Sequence, residues 1–322
     1  MANFYITNFA SIVGPKEKNS HLSSLDLWMD DYYYGEKTFE QAEIKMQKSV
    51  IDHLLFKSGI ENKQIGVMIG GDLSNQISVT SKSASEASIP FLGIYSACAS
   101  FVESLIVASM YLKAHPKKKV LCLTSSHNLH AEKQFRYPIE YGAPKKLSST
   151  YTTTAAIATM LSNEPGSIRL DSYTIGNAVD MGIKDTSNMG AIMAPAAAQT
   201  VMRHFKETKR DYNYYDVILT GDLGEVGSRI FRDYLKTTYQ IDLKNHLDAG
   251  SEIYKKKDKS IVYSGGSGPC VLPIYFFHKI LKDKKYKKVL LVATGSLHNP
   301  LFVNQGQSVA GIAHAISLEV NL

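Results

Sequence analysis

The sequence predicts an α/β fold written twice: two similar halves, each a mainly parallel sheet with helices on its faces. Three observations lead there. Short apolar runs alternate with longer helical stretches, the pattern of strands buried on both sides. The second half repeats the plan of the first at a period near 150 residues. Each half also carries a turn of small residues between a strand and a helix.

The elements follow in order. "KQIGVMIGGD" (63 to 72) reads as a buried strand running into a turn. "IPFLGIYSACAS" (89 to 100) reads as a second strand, followed by a helix from about Cys98 to Ala114, and "KKKVLCLTSSH" (117 to 127) as a third strand. "YYDVILTGD" (214 to 222) repeats the first of these, "IVYSGGSGPCVLPIYFFHKIL" (261 to 281) repeats the small-residue turn and its helix, and "YKKVLLVATGS" (286 to 296) repeats the third strand. "FEQAEIKMQKSVIDHLLFKSG" (39 to 59) places apolar residues every three or four positions and stops at Gly59, which marks a helix and its end. "NMGAIMAPAAAQTVMRHF" (188 to 205) has the small-residue spacing of a closely packed helix. The halves are expected to meet near residue 165, giving units 1–165 and 166–322. The segment 125–150 has no counterpart of its length in the second half, so this aromatic and charged insertion is a candidate binding surface.

Composition narrows the classes. A chain of 322 residues with 44% hydrophobic and 20% charged residues can bury a full core. Cys98, Cys122 and Cys270 lie far apart, without CxxC or zinc-type histidine spacing, so neither disulfides nor a structural metal are indicated. The N-terminal residues lack a signal-peptide pattern, and no run of about 18 apolar residues suggests a membrane span. Part of the excess behind the net charge of +6 sits in lysine clusters at 115–120, 254–259 and 282–288. These fit either solvated helix ends or a face resting on anionic lipid. No nucleic-acid-binding motif accompanies them.

Cys98 follows a strand and sits among Ala97, Ala99 and Ser100, where a helix begins. Helix-end N–H groups there would stabilise a thiolate or a bound anion. Cys122 reads as core, and Cys270, after Gly268 and Pro269, reads as packing that echoes the first turn.

The duplicated halves and the cysteine turn resemble the thiolase and ketoacyl-synthase superfamily, whose βαβαβαββ repeats pack in five αβαβα layers. More closely, "GGDLSNQ", "YSACAS", "SSHNLHAEKQFRYPIEYG", "NMGAIMAPAA", "TGDLGEVG" and "VATGSLHNPLFVNQGQSVAGIAHAISLE" resemble the stage V sporulation protein AD family. The resemblance implies a protein at the inner membrane of the developing spore that binds dipicolinate (pyridine-2,6-dicarboxylate) and works with other membrane proteins of the uptake apparatus. It implies no cofactor. A homodimer is a further implication of the superfamily.

The enzyme pattern breaks in the second half. Synthases carry a His-Gln-Ala-Asn type motif and thiolases Asn-Glu-Ala where this chain has "TGDLGEV", which offers Asp222. Thiolases carry Gly-His-Pro where this chain has "YSGGSGPC". The expectation is therefore a catalytically degenerate pocket with Cys98 at its floor. Tyr95 or Phe135 would flank the ligand ring, and His127, Lys133 and Arg136 would meet its carboxylates. His314 is the other histidine candidate. Asp72 would orient a donor or, for a calcium chelate, lie near the metal. His115, His130 and His298 are expected at the surface. The alternative is an acyltransferase or condensing enzyme with Cys98 as nucleophile and His314 as base.

Overall fold

The computed structural model describes residues 3–22, 24–135, 144–255 and 259–321. The strands are β1 (Phe4–Val13), β2 (Leu27–Trp28), β3 (Ile65–Gly71), β4 (Phe91–Gly93), β5 (Lys119–Ser126), β6 (Tyr151–Thr152), β7 (Ala155–Ser162), β8 (Ile168–Ile175), β9 (Val217–Thr220), β10 (His246–Asp248), β11 (Gly266–Ser267), β12 (Lys288–Ser296) and β13 (Gly311–Val320). The α-helices are α1 (Pro15–Lys18), α2 (Phe39–Ser58), α3 (Ser78–Ala87), α4 (Ser100–Ala114), α5 (Asn128–Phe135), α6 (Met189–Thr208), α7 (Gly224–Tyr239), α8 (Ala249–Glu252), α9 (Lys259–Val262), α10 (Val271–His278) and α11 (Pro300–Asn304).

Local chemistry sets the helix ends. Thr38 caps α2 by accepting from the Gln41 amide, and Gly59 ends it in the left-handed conformation at φ 67°. Met46, Val50 and Leu54 recur at helical spacing on its buried side.

The sheet path runs β10-β9-β12-β13-β8-β1-β7-β5-β3-β4. Read outward from its middle, it is one pattern used twice. β1, β7, β5, β3 and β4 match β8, β13, β12, β9 and β10, and in both sets the last three strands are parallel. The two sets join where β1 and β8 pair antiparallel, Phe4 with Leu170 and Ile6 with Ile168.

Among the described residues the core has three large compartments and a small cluster of Leu73, Ala97 and Ala131 against Cys98. The largest buries α4 (Phe101, Leu105) and α10 (Phe276, Phe277) between one face of each set, with Ile69 and Cys122 on one side and Leu219 and Leu291 on the other. A second packs α2 and α3 on the opposite face of the first set through Met46, Leu54 and Ala84. The third packs α6 and α7 on the second set through Ala197, Val201, Phe231 and Leu235. Helix, sheet, helix, sheet, helix is the five-layered thiolase-like arrangement. Since α10 is buried along its whole length and α4 along most of it, the middle layer is where both escape water.

Three expectations change. α4 starts at Ser100, with Cys98 in the turn before it. Each half is a mixed sheet in place of the mainly parallel one expected, because β1, β7 and β5 pair antiparallel. Among the described residues, the segment Ala97–Ala114 does have the length and apolar composition of a membrane span, but it is the mostly buried middle-layer helix with its entry turn.

Candidate functional site

Cys98 is set by the geometry of its turn. After β4 the Ile94 amide still bonds Gly70, at 3.0 Å, so the chain leaves the sheet only beyond that point. Ala97 then turns in the left-handed region at φ 50°, a conformation that costs a non-glycine residue about 1 kcal/mol. The turn holds itself: the Ala99 amide donates to the Ser96 carbonyl at 2.9 Å and the Ser100 amide to the Ala97 carbonyl at 3.3 Å. The Ser100 hydroxyl accepts from the Ser96 amide at 3.1 Å and donates to the Ala97 carbonyl at 2.8 Å. These bonds engage the first amides of the expected anion site. β12 seals the turn from the second half, and a Cβ at Gly295 would stand 2.4 Å from the Ser96 carbonyl oxygen.

The partners of the thiol come from the second half. Cys98 Sγ lies 3.8 Å from Ser267 Oγ, which donates to Asp222 Oδ2 at 2.9 Å. The Gly268 amide donates to the same oxygen at 3.2 Å, and Thr294 Oγ1 donates to Asp222 Oδ1 at 2.6 Å. Burial pushes the Cys98 thiol well above its ordinary range, and the neighbouring Asp222 carboxylate pushes it further. Burial also raises Asp222 itself, against the hydrogen bonds that hold it. An acid therefore stands where a thiolate would need a positive or donating neighbour, so the sulfur is held as a thiol.

The other candidates are dispersed. Asp72 is buried and fully engaged: Ser74 N donates to Oδ1 at 2.7 Å with the Ser74 hydroxyl alongside, and Thr80 N and Oγ1 donate to Oδ2 at 2.7 and 2.6 Å. It anchors the entry to α3. His127 is fully buried, bonds the Tyr32 carbonyl through Nε2 at 2.8 Å and stacks on Phe39. Burial lowers its pKa. Lys133 pairs with Glu40 at 2.7 Å over the Phe39 ring, so it faces α2. His314 sits on β13 with Nδ1 accepting from the Gly176 amide at 3.2 Å, and burial takes its pKa down to about 4. Neither His127 nor His314 bonds the thiol. Arg136 and the Phe135 side chain lie outside the described residues. His130 and His298 are buried, contrary to the surface expectation, because His130 pairs with the buried Glu43 at 2.7 Å and His298 lies in the wall of a cleft. His115 is exposed as expected, and Cys122 and Cys270 are buried.

Tyr95 is the candidate that faces open space. It lines a cleft of about 730 Å³ with Ser74, Asn75, Gln76, His298 and Asn299. The cleft lies between the segment entering the cysteine turn and the segment leaving β12, and no lysine, arginine or carboxylate lines it among the described residues. Its wall combines the neutral amides of Asn75, Gln76 and Asn299 and the Ser74 hydroxyl with the Tyr95 and His298 rings and the apolar side chains of Ile77, Ile94 and Leu297.

The residues that complete the thiol's surroundings, Ser267 and Thr294, carry a signal in the repeat: each sits in a small-residue segment at the strand end matching the cysteine side. They escape detection because a serine or threonine there also fits simple packing.

The chain's likenesses agree with this geometry. The family described as Stage V sporulation protein AD (SpoVAD) matches residues 1–319. Stage V sporulation protein AD of Bacillus subtilis (strain 168) is 38% identical over 320 residues, covering 98% of this chain and 94% of that one. Among solved structures, acetyl-CoA acetyltransferase from Syntrophomonas wolfei superposes with a TM-score of 0.66 at 9% identity, covering all of both chains. A single-residue variant of OleA from Xanthomonas campestris gives 0.66 at 12% identity over 98% of this chain and 96% of that one. 3-Oxoacyl-[acyl-carrier-protein] synthase III from Aquifex aeolicus VF5 gives 0.58 at 12% identity over 98% and 99%. At such identities the structures speak for the fold, while the sequence matches identify the line of descent: the chain belongs to the stage V sporulation protein AD family, sporulation proteins built on a thiolase-like fold.

Proposed function

We propose that this protein is a dipicolinate-binding component of the spore membrane apparatus and that its thiolase-type pocket no longer catalyses. The observation that carries the reading is Asp222 beside Cys98. A buried acid in contact with the sulfur opposes the thiolate that acyl transfer requires, and the histidines considered as bases are anchored elsewhere.

The cleft beside the turn suits a flat polar ligand. Tyr95 offers a ring face, and Asn75, Gln76 and Asn299 offer neutral donors. With no cationic side chain in its described lining, it favours a ligand whose charges already cancel. The 1:1 calcium chelate of dipicolinate meets that condition, whereas the free dianion would lack a counter-charge. Calcium would then arrive with the ligand.

Calorimetric titration of the full chain with dipicolinate, with and without calcium, tests this. The expected result is saturable binding, tighter with calcium and weakened about tenfold or more by Tyr95→Ala, which removes the ring face of the cleft. Heats no greater than those of an unrelated protein of similar charge would overturn it.

A further inference from the structure

A second cavity, sharing no residue with the cleft, lies in the second half of the molecule. It holds about 320 Å³ between α7, the end of β10, α8 and the 262–265 turn, with His21 of the first half at its edge. Its floor is polar. Asp248 is saturated there, accepting from Leu223 N, Gly224 N, Ser251 N, Ser251 Oγ and Thr220 Oγ1. Ser228, 4% exposed, lines the cavity with a buried hydroxyl that has no partner among the described residues.

Charges of both signs face this space without neutralising one another. Arg232 and Lys255 line it together with Glu225 and Glu252; Glu225 is already engaged, and among the described residues no ion pair joins Arg232, Lys255 and Glu252. Arg232 is held by a neutral group. Thr220 Oγ1 donates to Asp248 Oδ2 at 2.7 Å, so it accepts from His246 Nε2 at 2.8 Å, and His246 Nδ1 is left to accept from Arg232 Nη1 at 3.3 Å. Burial, with Arg232 beside it, takes the His246 pKa down to about 3, in keeping with that neutral tautomer. One guanidinium N–H is fixed, and the rest of the fork keeps its full charge for a bidentate partner.

Opposite charges held apart across one small polar cavity are satisfied together by a ligand that carries both. We propose that this cavity binds a free amino acid, its carboxylate on Arg232 and Lys255, its ammonium toward Glu252, and a polar atom on Ser228. The site is independent of the dipicolinate reading.

The test is a thermal-shift screen of the full chain against the standard L-amino acids, followed by calorimetry of the best one and of its N-acetyl amide. The expected result is saturable binding of a free amino acid, weakened about tenfold or more by blocking both termini. Arg232→Gln, an exposed position that leaves the core untouched, should weaken it similarly, and Ser228→Ala to a lesser degree, while Cys98→Phe leaves it unchanged. The proposal is overturned if no free amino acid raises the melting temperature, or if the blocked form or the Arg232→Gln variant binds as well as the parent pair.

Discussion

Burial and, after it, Asp222 decide the character of Cys98. The turn that holds the sulfur is strained, with Ala97 in the left-handed region, and a buried carboxylate stands beside it. Removing the negative charge should therefore release the thiol. Asp222→Asn is expected to raise the rate of Cys98 alkylation by iodoacetamide at pH 8, about tenfold for each pKa unit recovered. An unchanged rate would mean that burial alone controls the sulfur. The identity of this pair was half legible. "TGDLGEV" showed an acid in place of the enzyme's histidine or asparagine, but only the fold shows that Ser267 and Gly268 bring that acid to the thiol.

At the scale of elements, strands and long helices were readable because their periodicities are strong. The terminus of α2 at Gly59 and the small-residue turn before α10 stand where their sequence signals put them. The start of α4 was misplaced by two residues, since alanine and serine suit both the turn and the helix. Long-range pairing was not readable at all: nothing local to "HAEKQF" tells that Lys133 meets Glu40 or that His130 meets Glu43.

The same holds for α1, which is tied to the second half by Tyr254 donating to Glu17. Glu17 is fully buried, its other oxygen has no partner among the described residues, and burial raises its pKa from 4.5 to about 7. A carboxyl raised in the folded state favours folding most below pH 4.5, and that contribution is lost as pH rises through 7. Glu17→Gln should therefore gain about 3 kcal/mol relative to the parent between pH 4 and pH 8, read by urea unfolding. Parallel pH profiles for the two proteins would contradict this account.

For the whole molecule, the repeat plan gives the two ends of the parallel strands different surroundings. The cysteine turn and the cleft lie at the C-terminal ends of the parallel strands. The exposed lysines Lys117 and Lys118 precede β5, and Lys282, Lys284, Lys285 and Lys287 precede β12, at the opposite end. We propose that this lysine end rests on anionic membrane or an acidic membrane partner, leaving the cleft open on the far side. Binding to vesicles containing phosphatidylglycerol should then fall steeply between about 0.05 and 0.5 M salt, where the screening length shrinks from beyond 10 Å to below 5 Å. Salt-independent binding would remove the lysines from the argument. β4 ends the sheet path with Leu92 47% exposed, so a homodimer through this edge is the assembly we propose.

We propose that Cys98, held as a thiol beside Asp222, does no acyl chemistry. The direct test is to incubate the protein with acetyl-CoA and a longer acyl-CoA and record its intact mass. An unmodified chain is expected at both neutral and alkaline pH. A hydroxylamine-sensitive acyl adduct mapped to Cys98 would contradict it and make the protein an acyltransferase.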